Sequence, residues 1–127
     1  MKATDLMVGD LVNSDFGIFK IKEIFEDCVR DDRGNDYEFD CIYPISLTGE
    51  ILKNNGFRNL DISSPRDTIN RFVWRYSTDS QNIDLSYNKF TKDYKLDSFR
   101  INVFPIIYVH ELQHALRMGK IEKEIEL

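Results

Sequence analysis

Between Leu6 and Pro44 the apolar residues come in short groups separated by turn chemistry: Leu11-Val12, Ile18 to Ile24, Cys28 to Arg30, Tyr37 to Phe39 and Ile42-Tyr43. Groups this short do not cover one side of a helix; they are the pattern of small antiparallel strands. Asp31-Asp32-Arg33-Gly34-Asn35-Asp36 supplies a hairpin loop, with Gly34 and Asn35 as the residues that tolerate the left-handed backbone such turns need. Four or five short strands opened by Val8-Gly9-Asp10-Leu11-Val12 predict an SH3-like small β-barrel over residues 1–46.

After Pro44 the pattern changes to that of an α+β subdomain, residues 47–127, sharing one core with the barrel. Ser46 or Thr48 can cap a helix with Leu47, Ile51 and Leu52 on its apolar side, and Asn54-Asn55-Gly56 ends it, with Phe57 packing back. Residues 58–69, including Ser63-Ser64-Pro65, predict a loop. Antiparallel strands are expected over Phe72–Tyr76, Ile83–Tyr87, Tyr94–Phe99 and Ile101–Ile107, with Pro105 placing the last at an edge. Phe72, Trp74 and Tyr76 share one face as cross-strand packing. A C-terminal helix over 108–119, ended by Gly119, is expected to lay Tyr108, Val109, Leu112, Ala115 and Leu116 on this sheet. Its other side, with His110, Gln113, His114 and Arg117, should then be solvated. The tail 121–127 alternates apolar and charged residues, as a short edge strand or a frayed end would.

Charge is distributed unevenly. Residues 1–46 hold 11 acids against 5 bases, whereas residues 47–107 hold 7 acids against 9 bases, within a net charge of −5. The acidic first part argues against a phosphate grip there. In the middle, Arg66, Arg71, Arg75, Lys89, Lys92, Lys95 and Arg100 interleave with aromatics, a pattern open to single-strand stacking as well as to plain strand alternation. Cys28 and Cys41, with no apolar leader at Met1-Lys2-Ala3, point to free thiols in the cytoplasm. No run reaches the roughly 18 apolar residues of a membrane span, so no membrane partner is expected.

His110-Glu111-Leu112-Gln113-His114 matches His-Glu-x-x-His, in which two histidines one helical turn apart bind zinc and the Glu serves as general base. Glu111 would be the catalytic base and His110 and His114 the metal ligands. A catalytic zinc needs a third protein ligand, and these are the only histidines. Glu122, Glu124 and Glu126 stand in a charged terminal run, no spacing singles out Cys28, Cys41 or an upstream Asp, and Arg117 and Lys120 occupy the Gly and His positions of the extended motif. With the polar face expected in solvent, no catalytic residue, metal or cofactor is assigned, and zinc at His110 and His114 is the alternative.

The phrases Pro44-Ile45-Ser46-Leu47-Thr48-Gly49-Glu50-Ile51-Leu52-Lys53-Asn54-Asn55-Gly56-Phe57 and Ile107-Tyr108-Val109-His110-Glu111-Leu112-Gln113-His114-Ala115-Leu116 carry a resemblance. The chain resembles a family of short uncharacterised proteins of gut anaerobic bacteria, often found on phage-like or other mobile elements. Ser46 and Gly49 depart from the family's Pro-Ile-Pro-Leu-Thr-Glu-Glu, and Gly49 should weaken the helix start. The resemblance implies fold and genetic context but no activity.

The leading expectation is a non-enzymatic, protein-binding accessory module whose barrel presents aromatics such as Phe16, Phe19 or Tyr37, with a homo-oligomer open to it. The alternatives are a zinc-dependent hydrolase built on His110, Glu111 and His114, and a single-stranded nucleic-acid-binding factor built on the basic, aromatic middle.

Overall fold

The computed structural model describes residues 1–60, 71–79, 81–96 and 105–127, with backbone alone at 71 and 72. The expected loop at 61–69, the strand over 101–104, the end of the strand reaching Phe99, Arg66, Arg100 and the side chains of Arg71 and Phe72 lie outside the described residues.

The protein is α+β, with antiparallel sheets and two helices among the described residues. The order is β1 (Leu11–Ser14), β2 (Gly17–Lys20), β3 (Glu23–Ile24), β4 (Cys28–Arg30), β5 (Asp36–Glu38), β6 (Ile42–Tyr43), α1 (Gly49–Asn54), β7 (Arg58–Leu60), β8 (Arg71–Ser77), β9 (Asn82–Asn88), β10 (Asp93–Leu96) and α2 (Val109–Met118). Two compact units result, one from Met1–Ser46 and Tyr108–Glu122, the other from Leu47–Ile107 and Lys123–Leu127.

In the first unit, β1 lies between β2 and β6 in one sheet and β4 between β3 and β5 in another. The expected barrel is therefore two three-stranded sheets and not a closed cylinder among the described residues. The break falls inside the segment expected as one strand, Ile18 to Ile24. Ile21 exchanges hydrogen bonds with the turn before β1, Gly9 N donating to Ile21 O at 2.7 Å and Ile21 N to Asp10 O at 2.9 Å, after which Lys22 N donates to Arg30 O in the other sheet. Register sorts the first sheet's faces. Val12, Phe19 and Ile42 turn inward, and with Leu6, Ile21 and Val29 they build a core on which Met1, Ile24, Tyr37 and Phe39 pack. Each such fully buried aliphatic side chain contributes about 1.5–3 kcal/mol of transfer free energy. Asn13, opposite both Ile18 and Tyr43, faces out with them.

The β4–β5 loop is organised by buried Asp31, which accepts from Arg33 N and Asn35 N at 2.9 Å, Asn35 Nδ2 at 3.2 Å and the Tyr37 hydroxyl at 3.0 Å. Gly34 takes the left-handed backbone with φ +85°, and Asn35 does not.

In the second unit β7 to β10 form one antiparallel sheet, and β7 occupies residues expected as loop. Ile83 and Leu85 on β9 face Tyr76 and Trp74 on β8, so the apolar face is continuous across strands. The opposite face carries the bidentate Arg75–Asp84 pair at 2.8 and 3.0 Å. Thr48 caps α1 by accepting from Ile51 N at 3.2 Å. Gly49, which weakens the helix start by propensity, has a packing reason to be there: a Cβ would stand 2.9 Å from Trp74 Cζ2. The helix ends in a Schellman motif, Phe57 N to Leu52 O and Gly56 N to Lys53 O, with Gly56 at φ +85° and Phe57 buried. The tail is neither strand nor frayed end: Asn55 Nδ2 donates to Glu126 O at 2.9 Å, Glu126 N returns a bond to Asn55 Oδ1 at 2.7 Å, and Ile125 is buried.

The C-terminal helix was expected on the second sheet and instead belongs to the first unit, where it meets β1. Ser46 and Tyr108 form an antiparallel bridge where the chain leaves this unit and returns to it.

Candidate functional site

The polar side of α2 is not solvated. His110 is 5% exposed and Gln113 7%, while His114 and Arg117 are partly covered. The reason is a turn more than a hundred residues earlier in the chain. Met7 O accepts from Asp10 N at 3.1 Å, and the Asp10 carboxylate folds back to accept from Met7 N at 2.8 Å, leaving its oxygens pointed at the helix. Asp10 is 0% exposed. Its Oδ2 lies 2.7 Å from His114 Nε2, and its Oδ1 accepts from Arg117 at 3.1 Å. Gln113 bridges the flanking backbone, donating to Gly9 O at 3.0 Å and accepting from Leu11 N at 2.9 Å. Gly9 makes the approach possible, since its φ is +93° and a Cβ there would come 2.8 Å from an Arg117 guanidinium nitrogen.

A buried carboxylate is tolerated when charge and hydrogen bonds meet both oxygens, and Asp10 meets that condition with three donors from two elements. Removing Asp10 takes the shared acceptor from Met7 N, His114 and Arg117 at once, which makes the cluster a cooperative clasp between α2 and the start of β1.

The His-Glu-x-x-His residues are engaged differently from a zinc site. Glu111 Oε1 accepts from Tyr108 N at 2.9 Å, which satisfies a donor at the start of α2. His114 turns Nε2 to Asp10. The His110 ring stacks on Tyr108 at 5.8 Å and meets His114 edge-on at 5.6 Å, and its Nδ1 is buried with no hydrogen-bond partner among the described residues. Burial pushes the His110 pKa down, and His114 adds to this, against the opposing pull of Asp10, Glu111 and Asp5. Among the described residues no group of three His, Cys, Asp or Glu is arranged to hold a metal ion. Glu122, Glu124 and Glu126 contribute no third ligand to such a group, and neither do Cys28 and Cys41. Among the described residues, His110, Glu111 and His114 are thus not arranged as a zinc site. The Asp10–His114 pair resembles the base half of a catalytic triad, and among the described residues no hydrogen bond at His114 brings it a hydroxyl or thiol nucleophile.

The two cysteines are free. Cys28 lines an open pocket with Asp27, Glu38, Phe39 and Asp40. Burial, then the Asp27 carboxylate, raises its thiol pKa, which disfavours the thiolate.

The aromatics expected at the surface separate into two kinds. Phe19 and Tyr37 stack on each other at 4.2 Å and pack on the core of the first unit. Phe16, in the turn between β1 and β2, is 92% exposed, and Ile18 and Tyr43 are exposed on the outward face of that sheet, on either side of Asn13. Sequence patterning identified Phe16 as an exposed candidate but missed Asp10, whose only signal was a charged residue inside an apolar strand opening. No helix among the described residues is long and apolar enough to cross a membrane. The chain matches no family model, no curated protein and no solved structure.

Proposed function

We propose that the chain is a non-enzymatic accessory module that binds a protein partner through the outward face of its first unit. The observation that carries this reading is Phe16, held almost wholly in solvent at the β1–β2 turn with Ile18 and Tyr43 exposed nearby. Isolated exposed apolar residues are ordinary, but an almost wholly exposed phenyl at the turn of a sheet that also exposes Ile18 and Tyr43 on its outward face is the composition of an interface centre. The acid excess of residues 1–46 favours a partner surface that sets basic residues around an apolar one.

In this reading the first unit is related to SH3-like small barrels. Supporting it are six short antiparallel strands, the shift between sheets at Ile21-Lys22 and the 3-10 turn Phe39–Cys41 leading into β6. The resemblance to short proteins of mobile elements in gut anaerobes supplies the proposed setting, a cytoplasmic one. Self-association through the edge strands β2 or β6 is compatible with it.

The test is affinity capture from the native host with wild-type protein and with Phe16→Ser/Tyr43→Ser. The reading expects a partner retained by wild type and lost by the variant, with both proteins equally stable to urea. Partners captured equally by both, or none by either, would remove the outward face from consideration.

A further inference from the structure

The second unit carries a turn-borne phenylalanine of its own, in surroundings of opposite charge. Phe90 lies between β9 and β10 and is 79% exposed. Lys89, Thr91 and Lys92 flank it in the turn and Lys95 follows on β10, all of them exposed. The acid of this turn, Asp93, is buried and takes the Thr91 hydroxyl at 2.6 Å, so within the turn itself, Asn88 to Asp93, the exposed charged side chains are Lys89 and Lys92. By contrast Phe16 stands next to Asp15 in the acidic first unit.

The turn is built rather than loose. Asn88 Oδ1 accepts from Phe90 N at 2.9 Å and Thr91 N at 3.3 Å, and Lys92 N donates to Asn88 O at 2.7 Å. Lys92 adopts φ +57°, a backbone that favours glycine or asparagine and costs about 1–2 kcal/mol for other residues. Backbone geometry therefore does not account for a lysine there, and packing does not account for an exposed phenyl. Both side chains are held out by a turn whose shape is set by Asn88.

We infer that the β9–β10 turn is a contact point for single-stranded nucleic acid, with Phe90 stacking on one base and Lys89, Lys92 and Lys95 meeting neighbouring phosphates. The chemistry fits because every base offers a π-face and every linkage an anion, so one ring and a few cations on one turn suffice. A bilayer fits less well, since Phe90 is the one apolar side chain of the Asn88–Lys92 turn and single-residue insertion gives marginal membrane binding. This inference is independent of the partner proposed for the first unit.

The experiment is fluorescence anisotropy of a labelled oligothymidylate of about 15 nucleotides with the full chain, across a salt series. Saturable binding is expected, with log K falling against log salt at a slope of about −2 for three phosphates. Phe90→Ala should weaken binding roughly five- to a hundredfold, Phe90→Trp should retain it, and Lys92→Glu/Lys95→Glu should both weaken it and flatten the slope. Because these residues are exposed, urea midpoints should stay at the wild-type value. Absence of binding at low salt, binding indifferent to Phe90→Ala, or capture by phosphatidylserine vesicles without capture of the oligonucleotide would each overturn the inference.

Discussion

Asp10 shows how much one residue decides. Its place in Gly9-Asp10-Leu11-Val12 reads as the polar start of a strand, yet it is fully buried and joined to His114, Arg117 and the Met7 amide. A second residue-scale feature is at the far end of α2. Gly119 is the C-cap, but the left-handed position of the Schellman motif falls on Lys120 at φ +56°, with Lys120 N donating to Arg117 O and Ile121 N to Leu116 O. Relief of that backbone outweighs the entropy cost of glycine, so Lys120→Gly is expected to raise stability by about 0.5–1 kcal/mol, read as a higher urea midpoint at unchanged m-value. An unchanged or lower midpoint would mean that the Lys120 side chain contributes more than its backbone costs.

At the scale of elements, α2 carries a pH response. The His110 pKa is depressed in the folded protein, first by burial, so the unfolded chain binds the extra proton more readily. Stability from this group is therefore fully present above about pH 6.5, and it declines as pH falls through that value toward the folded-state pKa, by at most about 1.4 kcal/mol per unit. His110→Leu should remove the decline between about pH 7.5 and about pH 5.5. Asp31 and Asp36 act in a separate window. Burial of Asp31 is outweighed by bonds from Asn35, Arg33 and Tyr37, and Asp36 is held down chiefly by Arg30, so both lie below the ordinary carboxylate range and matter only under about pH 4. A decline that persists in His110→Leu would assign it to other groups.

The same elements mark where sequence reading ends. The strands of the first unit were legible because Gly, Asp and Asn punctuate them, and α1 because Thr48 and Gly56 bracket it. The apolar stripe of α2 was legible too, and Val109, Leu112 and Leu116 are buried as periodicity predicts. Its polar stripe was misread, because helical periodicity distinguishes residue types and not the partners they find. His114 and Gln113 look solvated until Asp10 and Gly9 are brought across the fold to meet them. Gly49 looked like a weakened cap until Trp74 arrived from β8. In each case the deciding contact is long-range, and single-sequence patterning has no access to it.

For the whole molecule, the chain leaves the first unit at Ser46 and returns to it at Tyr108, so α2 completes a unit whose last strand ended at Tyr43. The Asp10 clasp is the polar part of that return, and through His114 the His-Glu-x-x-His segment serves closure of this unit. The direct test is a double-mutant cycle of Asp10→Ala and His114→Ala on the full chain, by urea unfolding in chelator, repeated with zinc. The account predicts that Asp10→Ala costs about 3–5 kcal/mol, that the two changes couple by about 1 kcal/mol or more, and that zinc shifts no midpoint. Additive losses in chelator, together with wild-type stabilisation that grows with zinc concentration, would contradict it and return His110 and His114 to the role of metal ligands.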